Sequence, residues 1–278
     1  MLTWIKSKSM GITIMDKTIF TLITIFLYFA SSGYQYLALK RQNGKQPKGL
    51  VLFAALPLIL HGWLLHLSID TEMGQNLSIL NVFSMVFWIV SVLIIAFSMK
   101  KNLCILVMTV LPITGLSLLL SQYFGQQYII DASAPGYLTH VLVSIAAFSV
   151  ISLAAIQSLF VNILDNRLKQ HLNPTVRGMP ALQDMENFLY ILIWTGFILL
   201  TFSISTAFLF MTDGNLGVVP LHKPILSIAA WFVFAIFLIG RHLKGWRGRT
   251  AVHWTISGFS LLFLAYFGTR AVLEYIIG

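Results

Sequence analysis

Residues 224–267 read PILSIAAWFVFAIFLIGRHLKGWRGRTAVHWTISGFSLLFLAYF. Two apolar runs, 224–240 and 251–274, flank Arg241, His242, Lys244, Trp246, Arg247 and Arg249, with glycines at 240, 245 and 248. At about 1.5 Å per residue, each run as a helix is long enough to cross a hydrocarbon layer of about 30 Å. The charge and glycine compressed between them read as a tight turn at a membrane surface. Its basic residues anchor the topology and its tryptophan rests at the interface.

The same pattern extends along the chain. Of 278 residues 58% are apolar and 10% charged, with mean hydropathy +0.84, whereas soluble domains carry about 25% charged residues. A globule of this composition could not cover itself with solvated groups. The expected fold class is therefore all-α, a polytopic integral membrane helical bundle. Eight spans are expected, at 18–38, 49–69, 77–98, 102–121, 139–163, 188–211, 224–240 and 251–274. They form a single membrane domain, 18–278, behind an N-terminal extension, 1–17, that does not resemble a cleaved signal peptide. Met15 is an alternative start.

Lys and Arg concentrate in cytoplasmic loops, and here one set of loops holds Lys40, Arg41, Lys45, Lys48, Lys100, Lys101, Arg167, Lys169, Arg177, Arg241, Lys244, Arg247 and Arg249. The opposite loops hold Asp70, Glu72, Asp131 and Asp213, with Lys223. This asymmetry places both termini on the extracytoplasmic side of the membrane. It also accounts, with anionic lipid headgroups, for the net charge of +9. No basic stripe interleaved with aromatics suggests a nucleic-acid partner. The single cysteine, Cys104, excludes an internal disulfide or a CxxC pair. No GxSxG elbow, Walker loop, HExxH or in-span carboxylate pair is present, so no catalytic residue is assigned. The two halves show no convincing internal repeat of the kind many secondary transporters carry.

The histidines are the unusual feature, because ionisable groups within a membrane are costly and tend to face a cavity or a partner. Counting along span 2 puts His61 just beyond the midplane. His140 opens span 5 at the outer surface, and His222 lies in the outer loop leading into span 7. Arg270 and Glu274, spaced i,i+4, close span 8 at similar depth, where an ion pair on one helix face is one reading. If these groups converge, the imidazoles, the cations Lys223 and Arg270, and apolar neighbours suit haem. The iron takes neutral imidazole and the propionates take cations. The alternatives stand beside this: His61 as a helix-to-helix hydrogen-bonding residue, His140 and His222 as solvated edge residues, and Arg270 as a snorkelling side chain paired with Glu274. The cluster TFSISTAF at 201–208 reads as close helix packing. His66, His171 and His253 are not expected at the site.

The block 222–274, with GWRG followed by GF and YFG, resembles the membrane domain of cytochrome c assembly proteins, nearest to their HemX-like branch of eight-span inner-membrane proteins. A weaker similarity runs through GQNLSILNVFSMV and LTHVLVSIAAF, back to about residue 49. The resemblance implies haem, of type b, held in the extracytoplasmic half. His140 and His222 match the family's outer histidines, and the resemblance implies that they are the ligands of the iron. His61, Arg270 and Lys223 complete the expected cofactor site. The tryptophan-rich WGxxWxWD loop of the haem-presenting branch is absent, its place taken by MTDGNLGVVPLHKP, and no histidine follows the last span. The resemblance thus implies an accessory in c-type cytochrome assembly or haem metabolism, partnered by the bilayer, haem and other assembly or membrane proteins. It does not imply a self-sufficient haem ligase. A small-molecule permease and a structural partner of a membrane complex are the alternatives.

The charge asymmetry makes a direct prediction. Reporter fusions at 131–137 should give an extracytoplasmic signal and fusions at 244 a cytoplasmic one; the reverse pattern would invert the orientation.

Overall fold

The computed structural model describes residues 14–41, 49–71, 74–130, 135–170, 180–211 and 222–268. Within them the chain forms eight helices: α1 (Ile14–Arg41), α2 (Leu50–Ile69), α3 (Ile79–Ser98), α4 (Cys104–Phe124), α5 (Pro135–Lys169), α6 (Leu182–Met211), α7 (His222–Lys244) and α8 (Arg249–Phe263). A single π turn, Leu264–Gly268, continues α8. Seven helices are long and apolar enough to cross a membrane, and α2, apolar from Phe53 to Ile69, is shorter. The chain is a polytopic helical membrane protein. Large apolar side chains such as Phe26, Ile59, Phe232 and Ile236 are exposed on the outside of the bundle, where a bilayer would cover them.

The helices adjoin in two closed sets of four. In the first, α1 packs on α2, α2 on α3, α3 on α4 and α4 back on α1; in the second, α5, α6, α7 and α8 repeat that cycle. Contact between α3 and α5 joins the sets. The matching order is a property of the packing, since the sequence shows no repeat between its halves.

Helices α5 and α6 are longer than their apolar runs suggest. Hydropathy marks the lipid-buried part, whereas a helix continues wherever its backbone bonds and local side-chain pairs permit. Asp165 and Lys169, one turn apart and 2.6 Å between charged atoms, support the polar end of α5.

The first set is held by a polar seam. Pro57 in α2 and Pro112 in α4 lack N–H groups, which deprives the carbonyls of Phe53 and Met108, four residues earlier, of their helical donors. Two adjacent serines on α1 replace them. Ser31 donates to the Phe53 carbonyl at 3.2 Å and Ser32 to the Met108 carbonyl at 2.8 Å. Nearby, Ser91 and Thr114 join α3 to α4 at 2.6 Å.

A small three-stranded antiparallel sheet lies at one end of this set and was not expected from the sequence. β1 (Asp70–Thr71) pairs with β2 (Gly74–Asn76), which pairs with β3 (Ile129–Ile130). It ties the α2–α3 connection to the segment after α4. Asn76 reinforces the tie, its side-chain oxygen accepting from the Tyr128 N–H at 2.9 Å.

The turn at 240–249 is equally built. Gly245 follows α7 with φ +65°, and its N–H donates to the Arg241 carbonyl at 3.1 Å, a left-handed helix stop. Gly248, at φ +54° and ψ −127°, occupies a region that side chains avoid, and its N–H donates to Glu186 Oε1 at 2.8 Å. Trp246 covers Gly240 and stacks on Trp254 with ring centroids 5.5 Å apart. Arg241 lies over the Tyr190 ring, 4.3 Å from its centroid.

The proline–serine pairing predicts a thermodynamic cycle. Ser32→Ala should cost about 1 kcal/mol of stability by orphaning the Met108 carbonyl. In a Pro112→Ala background, where the helical N–H is restored, the same change should cost markedly less. Equal losses in both backgrounds, measured by thermal unfolding in detergent, would break the link.

Candidate functional site

In α5, His140 and Ser144 stand one turn apart, and in α6, Ser203 and Thr206 are separated by three residues. Both spacings place side chains on one helix face. Because α5 and α6 pack along their length, the two faces meet. His140 Nδ1 lies 3.1 Å from the Ser203 carbonyl and 3.1 Å from Thr206 Oγ1. A carbonyl can only accept, so Nδ1 carries the proton and donates. The Thr206 hydroxyl donates to the same carbonyl at 2.9 Å.

This assignment leaves Nε2 of a neutral ring with its lone pair. Its near neighbour is Ser144 Oγ, a long 3.4 Å away. The single proton of that hydroxyl has a better acceptor in the His140 carbonyl at 2.6 Å, and the Ser144 oxygen also meets Ser203 Oγ at 2.7 Å. Held through Nδ1–H by a backbone carbonyl, His140 has the arrangement typical of metal-ligating histidines.

His140 lines a cleft of about 290 Å³ between α5, α6, α7 and α8. Phe148, Leu200, Ile204 and Leu262 supply apolar wall, and Lys223 and Tyr266 stand on the α7–α8 side. The Lys223 ammonium lies 5.9 Å from the Tyr266 ring centroid. Tyr266 in turn stacks on Phe148 at 5.6 Å. The cleft therefore combines an oriented imidazole, a cation and flat apolar surface.

Of the residues expected at the site, His140 and Lys223 share this cleft. His222 heads α7 immediately before Lys223, but its side chain lies outside the described residues, as do Arg270 and Glu274. His61 does not line the cleft. It is fully buried in the first set of helices, with Nδ1 3.0 Å from the Tyr28 hydroxyl and Nε2 2.9 Å from Ser84 Oγ. Both ring nitrogens are occupied by side chains of α1 and α3, which leaves no lone pair for a ligand. The helix-to-helix reading describes this histidine, and the expectation that it completes the cofactor site is corrected. His66 pairs with Asp70 at 2.5 Å and is exposed, and His253 is exposed as well.

Ser144, Ser203 and Thr206 were missed as site residues. The i,i+4 spacing of His140 and Ser144 was visible, but the facing partners on α6 were not. The TFSISTAF segment does pack closely, as expected, and it also supplies the carbonyl and hydroxyl that orient His140.

The fold and cleft define a polytopic helical membrane protein that presents one oriented imidazole among apolar walls at the end of a four-helix set. The family model described as Cytochrome C assembly protein matches residues 48–277, and the chain belongs to that family. Inner membrane protein YpjD of Escherichia coli is 30% identical over 261 residues, 93% of this chain and 99% of that protein. An uncharacterized 28.8 kDa protein of Azospirillum brasilense is 28% identical over 155 residues, 54% of this chain and 57% of that protein. No solved structure matches. Membership carries a haem-related membrane role, and the bacterial inner-membrane location that the resemblance implies agrees with the Escherichia coli relative.

The hydrogen-bond geometry predicts the tautomer of His140. In protein labelled with ¹⁵N-histidine and assigned through a His140→Gln variant, its neutral form should carry the proton on Nδ1. An Nε2–H signal would contradict the donation to Ser203.

Proposed function

We propose that the cleft beside His140 binds haem b and that the protein is a haem-handling accessory of c-type cytochrome assembly or haem metabolism, in the manner of the HemX-like branch. The observation that carries this reading is His140 itself. Its Nδ1–H is committed to the Ser203 carbonyl, and Nε2 keeps its lone pair in an apolar cleft that also contains Lys223.

The donor chemistry fits haem. A neutral imidazole suits the iron, a cation suits a propionate, and the rings of Phe148 and Tyr266 offer flat apolar surface for the macrocycle. A volume of about 290 Å³ lies at the lower end of ligand pockets. His222, adjacent to Lys223 in the chain, is the second proposed ligand, and Arg270 is proposed to share the propionates with Lys223.

Optical spectra of the protein purified from haem-producing cells, before and after reduction, test this reading. Wild type should show a Soret band. His140→Ala should weaken haem retention by about tenfold or more, and His222→Ala should have the next largest effect. Lys223→Ala and Arg270→Ala should loosen haem a few-fold without moving the band positions, because they hold carboxylates rather than the metal. His61→Ala should lower stability while leaving the spectrum of the folded fraction unchanged. A colourless wild type, or a His140→Ala/His222→Ala protein that retains haem equally, overturns the proposal.

A further inference from the structure

A second cavity, of about 330 Å³, lies at the opposite end of the bundle, where the turn between α3 and α4 meets α5 and the first turn of α6. Lys100 and Lys101 from the turn line it, together with Leu106 of α4, Gln157 and Phe160 of α5, and Asp184 of α6. The Lys101 ammonium lies 5.2 Å from the centroid of the Phe188 ring, another wall of the cavity.

Gln157 is the informative residue. It is 1% exposed, and its Nε2 donates to the Met185 carbonyl at 3.1 Å. Since a carbonyl can only accept, the amide orientation is decided, and Oε1 is left buried with no hydrogen-bond partner. A buried acceptor without a donor is costly. This one belongs to a side chain that lines a cavity carrying two ammonium groups.

A ligand complementary to this cavity is an anion that also carries an uncharged hydroxyl donor and an apolar tail. The anion answers the lysines, whose charge exceeds that of Asp184 by one. The hydroxyl answers Gln157 Oε1 without placing a second ammonium beside Lys100 and Lys101, and the tail answers Leu106 and Phe160. The α3–α4 turn ends two spans, so its lysines sit at headgroup depth, where basic pockets between helices bind anionic lipids.

We infer that this cavity is a binding site for phosphatidylglycerol, with the phosphodiester at Lys100 and Lys101 and a glycerol hydroxyl donating to Gln157. The site is separate from the His140 cleft and does not depend on haem.

The test uses the full chain, delipidated in mild detergent and re-supplied with single lipids, read by native mass spectrometry and thermal unfolding. Phosphatidylglycerol should be retained and raise the melting temperature saturably, more than phosphatidylethanolamine or phosphatidylcholine. Phosphatidylmethanol, which keeps the charge and lacks both hydroxyls, should bind more weakly, and Gln157→Leu should abolish that difference. Lys100→Ala/Lys101→Ala, a change in a surface turn, should reduce retention on the order of tenfold, and Lys100→Arg/Lys101→Arg should restore it. Three outcomes overturn the inference: equal retention of all four lipids, wild-type preference in the double alanine variant, or an equal shift from free glycerol phosphate, which would assign the cavity to a soluble anion.

Discussion

In the interior of a bilayer no water is present to bond a stray backbone group, and the first four helices are arranged around that constraint. Two prolines, Pro57 and Pro112, each strand a carbonyl on a different helix, and adjacent serines on α1 supply the missing donors. The helix that carries Ser31 and Ser32 must therefore lie against both proline helices at once. That is its place in the closed set, next to α2 and α4. Once α1 is fixed, Tyr28 on the same helix reaches His61, which reaches Ser84 on α3.

Two histidines in one chain show how environment assigns role. His61 has a hydroxyl at each nitrogen and is closed to any ligand. His140 has firm partners at Nδ1 and a long contact at Nε2, beside a cleft. Both use polar contacts between helices, the interaction that substitutes in lipid for the missing hydrophobic driving force. In the first set these contacts take up both nitrogens of His61. In the second set they stop one nitrogen short, and the remaining valence is what makes His140 a candidate ligand. The sets touch through α3 and α5, so the helix that bears His140 rests directly on the first set.

The ends of the bundle follow different physics from its middle. Backbone freedom at Gly245 and Gly248, and the stacking of Trp246 on Trp254, shape the α7–α8 turn. The lysines of the α3–α4 turn are brought by the fold to one cavity with Gln157.

The all-α membrane class and the order of the spans were legible in the sequence because burial in lipid demands long apolar runs, and such runs are local. His140 could be singled out for the same reason: a titratable group at the end of a span is conspicuous by itself. Helix limits were less legible, since α5 and α6 continue past their apolar runs into polar turns that hydropathy does not mark. The short sheet was invisible because its pairing joins residues 70–76 to 129–130, and nothing local in two or three residues announces a strand. Which nitrogen of His140 is protonated, and which partners His61 keeps, depended on α6, α1 and α3. These are contacts between helices distant in sequence. A residue's type and depth are set along the chain, whereas its unused hydrogen-bonding capacity is set by what packs against it, and that was decided by the tertiary structure alone.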